Sequence, residues 1–144
     1  MIITRETDYA VRILRCLADF QLKTIREISE EQVVPRQFAY KISKKLERAG
    51  LIEIIRGATG GCRMIKDLHE VSLMDLINVM DRDNMVSSCL NPAVACAYRE
   101  KNKSCCVHDA LCQVQQNIIE YFKTLNMYDI IFTECKFLSQ KKFL

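Results

Sequence analysis

Apolar side chains recur every three to four positions over residues 7–20 (TDYAVRILRCLADF), where Tyr9, Val11, Ile13, Leu14, Leu17 and Ala18 share a face and the arginines lie opposite. That period predicts an amphipathic helix. A shorter helix is predicted over 25–31, with Ile25 and Ile28 inward. Pro35 suits the first turn of a third helix, because its fixed φ is already helical and no N–H is missed there. Phe38, Ile42, Leu46 and Ala49 are its expected core positions, and Gly50 its C-cap. The run LIEIIR alternates partially, and CRMI follows a glycine-rich GATGG, which predicts two short strands joined in a hairpin. Ser72 with Asp75 three residues on resembles a capping box opening a helix over 73–80. Residues 81–106 lack periodicity and contain Pro92, so they are expected to be mostly loop. Over 107–125, Leu111, Val114, Ile118, Phe122 and Leu125 predict a long amphipathic helix, and the final SQKKFL is expected to fray.

Composition permits a packed core, with 49% hydrophobic and 27% charged residues. No apolar run approaches the roughly 20 residues of a membrane span. The start, MIITRE, carries charge where a secretory leader needs an apolar stretch. A cytoplasmic location is therefore expected. Charge is uneven along the chain. Residues 1–66 hold 13 Lys and Arg against 8 Asp and Glu, whereas 67–144 hold 8 against 10, so the first half is basic and the second slightly acidic. A basic half suits a polyanionic partner.

Three helices and a glycine-tipped hairpin are the ingredients of a winged helix-turn-helix. The expected class is mainly α, with a small β-hairpin wing and a long C-terminal dimerisation helix. In such a fold the third helix enters the DNA major groove and the wing follows the backbone. Its outer face offers Arg36, Gln37, Tyr40, Lys41, Lys44 and Lys45. Arg36, Gln37 and Tyr40 are the candidates for base edges. Lys41 and Lys44 suit phosphates, and Arg56 and Arg63 of the wing, with Gly60 at its tip, suit phosphates or the minor groove.

The run VVPRQFAYKISKKLERAGLIEIIRGATGGCRM resembles the bacterial iron–sulfur cluster regulator family of winged-helix factors, the IscR and NsrR types. Pro35, Phe38, Lys41, Ile42, Leu46, Ala49-Gly50-Leu51 and Arg56-Gly57 followed by Gly60-Gly61 carry the resemblance. The opening TRETDYAVRIL and the later VSLMDLINVMD extend it over about residues 1–132. It implies a non-enzymatic transcription regulator, a homodimer on a palindromic double-stranded DNA operator. The expected organisation is a DNA-binding domain over 1–80, a cysteine-rich cofactor loop over 81–106, and a dimerisation helix with tail over 107–144. Cys62 departs from the pattern, standing where the family usually has an aromatic, and is expected to act as a small hydrophobe.

Five of the eight cysteines lie between residues 89 and 112. In a reducing compartment clustered thiols more often hold metal or do redox work than form disulfides. Cys89, Cys96 and either Cys105 or Cys106 are the candidate ligands of an iron–sulfur cluster, whose iron favours soft thiolates. The resemblance implies three such cysteines ahead of the long helix, with tighter spacing than here. It also implies a fourth ligand, either His108 or Asp8 supplied by the partner subunit. Both 2Fe–2S and 4Fe–4S remain open, and structural zinc is the rival metal. Cys16, Cys112 and Cys135 are expected to be buried thiols or to form an adventitious disulfide. A thiol oxidoreductase is disfavoured by the absence of C-x-x-C. A cofactor-free regulator controlled by thiol oxidation or a partner protein is the alternative.

Overall fold

Residues 3–81 and 85–133 are described by the computed structural model. Three of its helices open on reciprocal caps. Thr4 exchanges hydrogen bonds with Thr7 to start α1 (Arg5–Leu17), Thr24 with Glu27 to start α2 (Ile25–Gln32), and Ser72 with Asp75 to start α4 (Leu73–Met80). Each cap satisfies backbone donors that the first turn would leave orphaned. The third helix, α3 (Arg36–Arg48), begins after Pro35 without any side-chain cap.

Strands β1 (Ile52–Ile55) and β2 (Gly61–Met64) pair antiparallel, with Ile52 opposite Met64 and Glu53 opposite Arg63. Lys23 adds a third edge: its N–H donates to the Cys62 carbonyl at 2.9 Å and its carbonyl accepts from the Cys62 N–H at 2.7 Å. The tip is tight. A Cβ on Gly60 would lie 2.2 Å from the Ile55 carbonyl oxygen, and one on Gly61 would lie 2.6 Å from that of Lys23. Only glycine allows these approaches.

One core joins these elements. Ile13, Leu14 and Leu17 of α1 meet Ile28, Ile42, Leu46, Ile52, Met64, Leu76 and Ile77, all essentially inaccessible. The chain continues through α5 (Ala97–Asn102), α6 (Cys106–Thr124) and α7 (Met127–Phe132). After α6 it returns to the winged helix. Leu73 N–H donates to the Leu125 carbonyl and Met127 N–H to that of Val71, both at 2.8 Å, and Met127 is fully buried in the common core. Among the described residues no helix is long and apolar enough to cross a membrane.

Several expectations change. The first helix stops at Leu17, where Phe20 turns to φ +59° and its N–H bonds the Leu17 carbonyl. In α3 the core takes Ala39, Ile42, Ser43 and Leu46, while Ala49 is exposed. Phe38 instead lies edge-on to Tyr9 of α1, ring centroids 5.6 Å apart. The segment expected as loop contains α5. The apolar stripe of α6 is two stripes. Ile119, Phe122 and Leu125 pack on the core of their own chain, whereas Val107, Val114 and Tyr121 are exposed. Cys135 and the SQKKFL tail lie outside the described residues.

The turn between α2 and α3 carries backbone strain. Val33 ends α2 at φ 51°, ψ 47° and is 78% exposed, so no packing compensates it. The left-handed region costs an L-residue about 1–2 kcal/mol, and a β-branched one is an outlier there. Val33→Gly is expected to raise stability by roughly 1 kcal/mol, net of glycine's extra unfolded-state entropy. Urea unfolding measures it through a higher midpoint at unchanged slope.

Candidate nucleic-acid interface and cysteine segment

The start of α3 presents Arg36, Gln37 and Tyr40, all exposed. None of the three has a hydrogen-bond or ion-pair partner among the described residues. The lysines that follow are engaged. Lys41 and Lys45 both donate to the Glu6 carboxylate of α1, at 2.6 and 2.7 Å, and Lys45 also reaches the Met80 carbonyl. Lys44 pairs with Glu47 at 3.0 Å. On the wing Arg56 is exposed and without an ion-pair partner among the described residues, whereas Arg63 bonds its cross-strand neighbour Glu53 at 2.7 Å. The basic face anticipated from sequence is thus graded: free arginine, amide and phenol at the helix start, and lysines already neutralised behind them.

Glu6 was invisible to spacing arguments, being 35 residues from Lys41. Hydrogen bonds from Lys41 and then Lys45 hold its carboxyl below the ordinary carboxylate range. Its stabilising contribution is present above that ordinary range and is lost as pH falls through the lowered value. Glu6→Gln releases two cations on the candidate DNA face. The expected result is tighter non-specific duplex binding, with the logarithmic salt slope steeper by about one unit per freed lysine that reaches a phosphate. Fluorescence anisotropy across a salt series measures it, and an unchanged slope would mean that the lysines do not face DNA.

The cysteine segment is anchored against α6. Val86 N–H donates to Gln115 of α6 at 2.7 Å. Cys89 follows, half-buried in a single 3₁₀ turn (Ser88–Leu90), and its sulfur accepts from the Ser87 hydroxyl at 3.3 Å. Cys96 is the N-cap of α5 and Cys105 the N-cap of α6, and neither makes a side-chain cap bond. Cys106 is exposed in the first turn of α6, where Cys105, Cys106, Tyr98 and Val107 surround a shallow pocket of about 340 Å³. Among the described residues, no three His, Cys, Asp or Glu side chains come together closely enough to hold a metal ion. The donor types suit an iron–sulfur cluster, three soft thiolates on one segment, but within one chain they stay apart.

The two candidate fourth ligands are engaged elsewhere. Asp8 sits exposed in the first turn of α1 and pairs with Arg12 at 3.0 Å. His108 lies between Arg99 and Cys112, its Nε2 3.4 Å from the Cys112 sulfur. Cys112, expected to be a buried thiol or part of an adventitious disulfide, is a free thiol and exposed, no described residue covering that face of α6. Cys16 and Cys62 are buried as expected. Burial, aided by the hydrogen bond to Glu31, pushes the Cys16 thiol up to about 11, and burial likewise raises that of Cys62.

A three-helix head with a turn before an open-faced α3 and a glycine-tipped hairpin behind it defines a winged-helix DNA-binding transcription regulator. The chain belongs to the Rrf2 family: the family model described as "Iron-dependent Transcriptional regulator" matches residues 3–133. It is 37% identical over 91 residues to "Protein aau3" of Rhizobium meliloti (strain 1021), a match covering 62% of this chain and 59% of that protein. It is 25% identical over 137 residues to "HTH-type transcriptional regulator NsrR" of Bacillus subtilis (strain 168), covering 90% and 88% of the two. Its fold is similar to the oxidized form of CymR from Staphylococcus aureus, with a TM-score of 0.69 at 17% identity over 93% of this chain and 98% of that one.

Proposed function

We propose that this protein is a homodimeric repressor-type regulator whose operator binding is switched by an iron–sulfur cluster on the segment joining the winged helix to α6. The observation that carries it is the position of that segment. Cys89, Cys96 and Cys105 lie between α4 of the DNA-binding head and the helix α6, and Cys106 opens α6 itself. A ligand change there acts on both. The family's description as iron-dependent and the similarity to NsrR support the choice of cofactor.

Cys89, Cys96 and Cys106 would hold the cluster, with Cys105 able to replace its neighbour. Asp8 of the partner subunit is the preferred fourth ligand and His108 the second. When bound, such a group supplies a centre that responds to nitric oxide, redox state or iron–sulfur supply. The chain's own part is to couple the segment to DNA. Arg36, Gln37 and Tyr40 read base edges, and Lys41, Lys44, Arg56 and Arg63 bind the backbone. Gly60 keeps the wing tip close enough to approach it. Two such heads on a C2 dimer match a palindromic site in the cytoplasm.

A second reading, a cofactor-free thiol switch, is favoured by one observation: Cys106 and Cys112 are exposed, and Cys112 lies within hydrogen-bond distance of His108.

The DNA assignment is tested by selecting duplexes from a random library and measuring affinities of the parent and Gln37→Ala. Loss of a base contact is expected to cost about 1–3 kcal/mol at one operator position and to relax preference there. A variant that discriminates among operators as the parent does would overturn the docking of α3.

A further inference from the structure

On the side of the head formed by the ends of α1 and α2, the start of the 3₁₀ turn after β2, and α7, the chain encloses an open cleft of about 870 Å³. That is the size of small-molecule sites. One wall is an aromatic ladder. The His69 and Tyr128 rings stack with centroids 3.9 Å apart and planes 21° apart, and Phe132 continues the row 4.9 Å from Tyr128. Phe20 also lines the cleft, 51% exposed and held at φ +59°. A bulky side chain kept in the left-handed region and in water costs stability twice over, a cost that folds retain where a site uses it.

The rest of the lining is charged, with the three carboxylates Asp19, Glu31 and Asp67 against the two cations Lys23 and Arg15. Glu31 takes the Cys16 thiol and Lys23, Asp19 lies 3.8 Å from Lys23, and Asp67 holds His69. Arg15 has no carboxylate partner among the described residues. Its Nη2 and Nε donate only to the Gln32 side-chain carbonyl, at 2.6 and 3.1 Å. A guanidinium with donors to spare beside an aromatic wall selects a flat apolar body bearing a planar anion, which it can bind through two parallel hydrogen bonds.

We propose that this cleft is a binding site for a small aromatic carboxylate, its ring against Tyr128 and Phe132 and its carboxylate on Arg15. The site is separate from the cysteine segment. It also touches the reading head, because Gln32, which shares Arg15 with the ligand, is the last residue of α2 before the Val33 turn into α3. Occupancy therefore competes for the contact that ties the end of α2 to α1.

Isothermal titration of the full-length protein with 2-naphthoate and with the uncharged 2-naphthamide separates the ring from the charge. The parent is expected to bind one naphthoate per chain, about tenfold or more tighter than the amide, the ratio of a charge-assisted over a neutral hydrogen bond. Arg15→Gln, at an exposed position whose loss leaves the core intact, is expected to erase that ratio while keeping the weak ring contribution. Tyr128→Ala is expected to weaken both ligands together. Equal affinity of acid and amide in the parent, an acid preference that survives Arg15→Gln, or no binding of either ligand because another segment or a second copy fills the cleft, would each overturn the proposal.

Discussion

Cys89→Ala and Cys96→Ala are each expected to abolish the proposed iron–sulfur chromophore after anaerobic purification while leaving a folded protein. The loss is expected to be near complete because a cluster needs all its firm thiolates, and because neither cysteine contributes to the core. Cys89 is half-buried on a 3₁₀ turn and Cys96 caps a six-residue helix that buries nothing. Cys106→Ala is expected to retain part of the iron, since Cys105 stands beside it at the start of α6. Asp8→Ala tests the weaker ligand: iron is largely kept, but the visible spectrum shifts and the coupling of cluster state to DNA affinity falls. Iron and sulfide assays with absorption spectra measure all four variants. A cysteine-free segment that holds as much iron as the parent overturns the site. Zinc in the parent after strictly anaerobic expression replaces the sensor with a structural metal.

Ile118→Asp is expected to separate the proposed dimer. The apolar positions of α6 that its own core leaves out fall at Val107, Leu111, Val114, Ile118 and Tyr121, with Leu111 and Ile118 half-buried and the others exposed; they alternate steps of four and three, the spacing of a left-handed two-helix coiled-coil seam. None of these five side chains belongs to the core of its own chain, and Val107 and Tyr121 are 67% and 62% exposed. An aspartate on the two-fold seam meets its own copy, so two like charges are desolvated without a partner, at a cost of several kcal/mol. The expected outcome is a monomer by sedimentation velocity, unchanged helicity, and operator affinity reduced toward that of a half-site. Phe122→Asp provides the contrast. Its ring packs on the head, and it is expected to lower thermal stability in the monomer as well. A fully dimeric Ile118→Asp variant would place the interface elsewhere.

The order of helices and hairpin was legible because it depends on local signals. The helical period over α1, the Ser72–Asp75 box and the glycines of the wing act within a few residues of sequence, and the fold kept all of them. Arg36, Gln37 and Tyr40 were legible for the same reason, as the polar face of a helix whose other face is apolar. The divided roles along α6 were not. Leu111, Ile118 and Phe122 are equally apolar, and a helix of 19 residues can turn one stripe to its own head and another outward. Which residue goes where depends on the Leu125–Met127 return that pins the end of α6 to Val71 and Leu73.

Pairing across long sequence distance was likewise decided only by tertiary structure. Nothing local to Glu6 announces that it neutralises Lys41 and Lys45, nor anything local to Arg15 that its partner is the amide of Gln32. These contacts exist because α1 packs against both α2 and α3. The sequence by itself determined the family, the reading helix and the inventory of thiols, since each follows from residue type and spacing. The tertiary structure decided which cations are free, which cysteines are exposed and which apolar stripe of α6 the described residues leave uncovered, because burial and charge pairing are properties of surfaces that only packing creates.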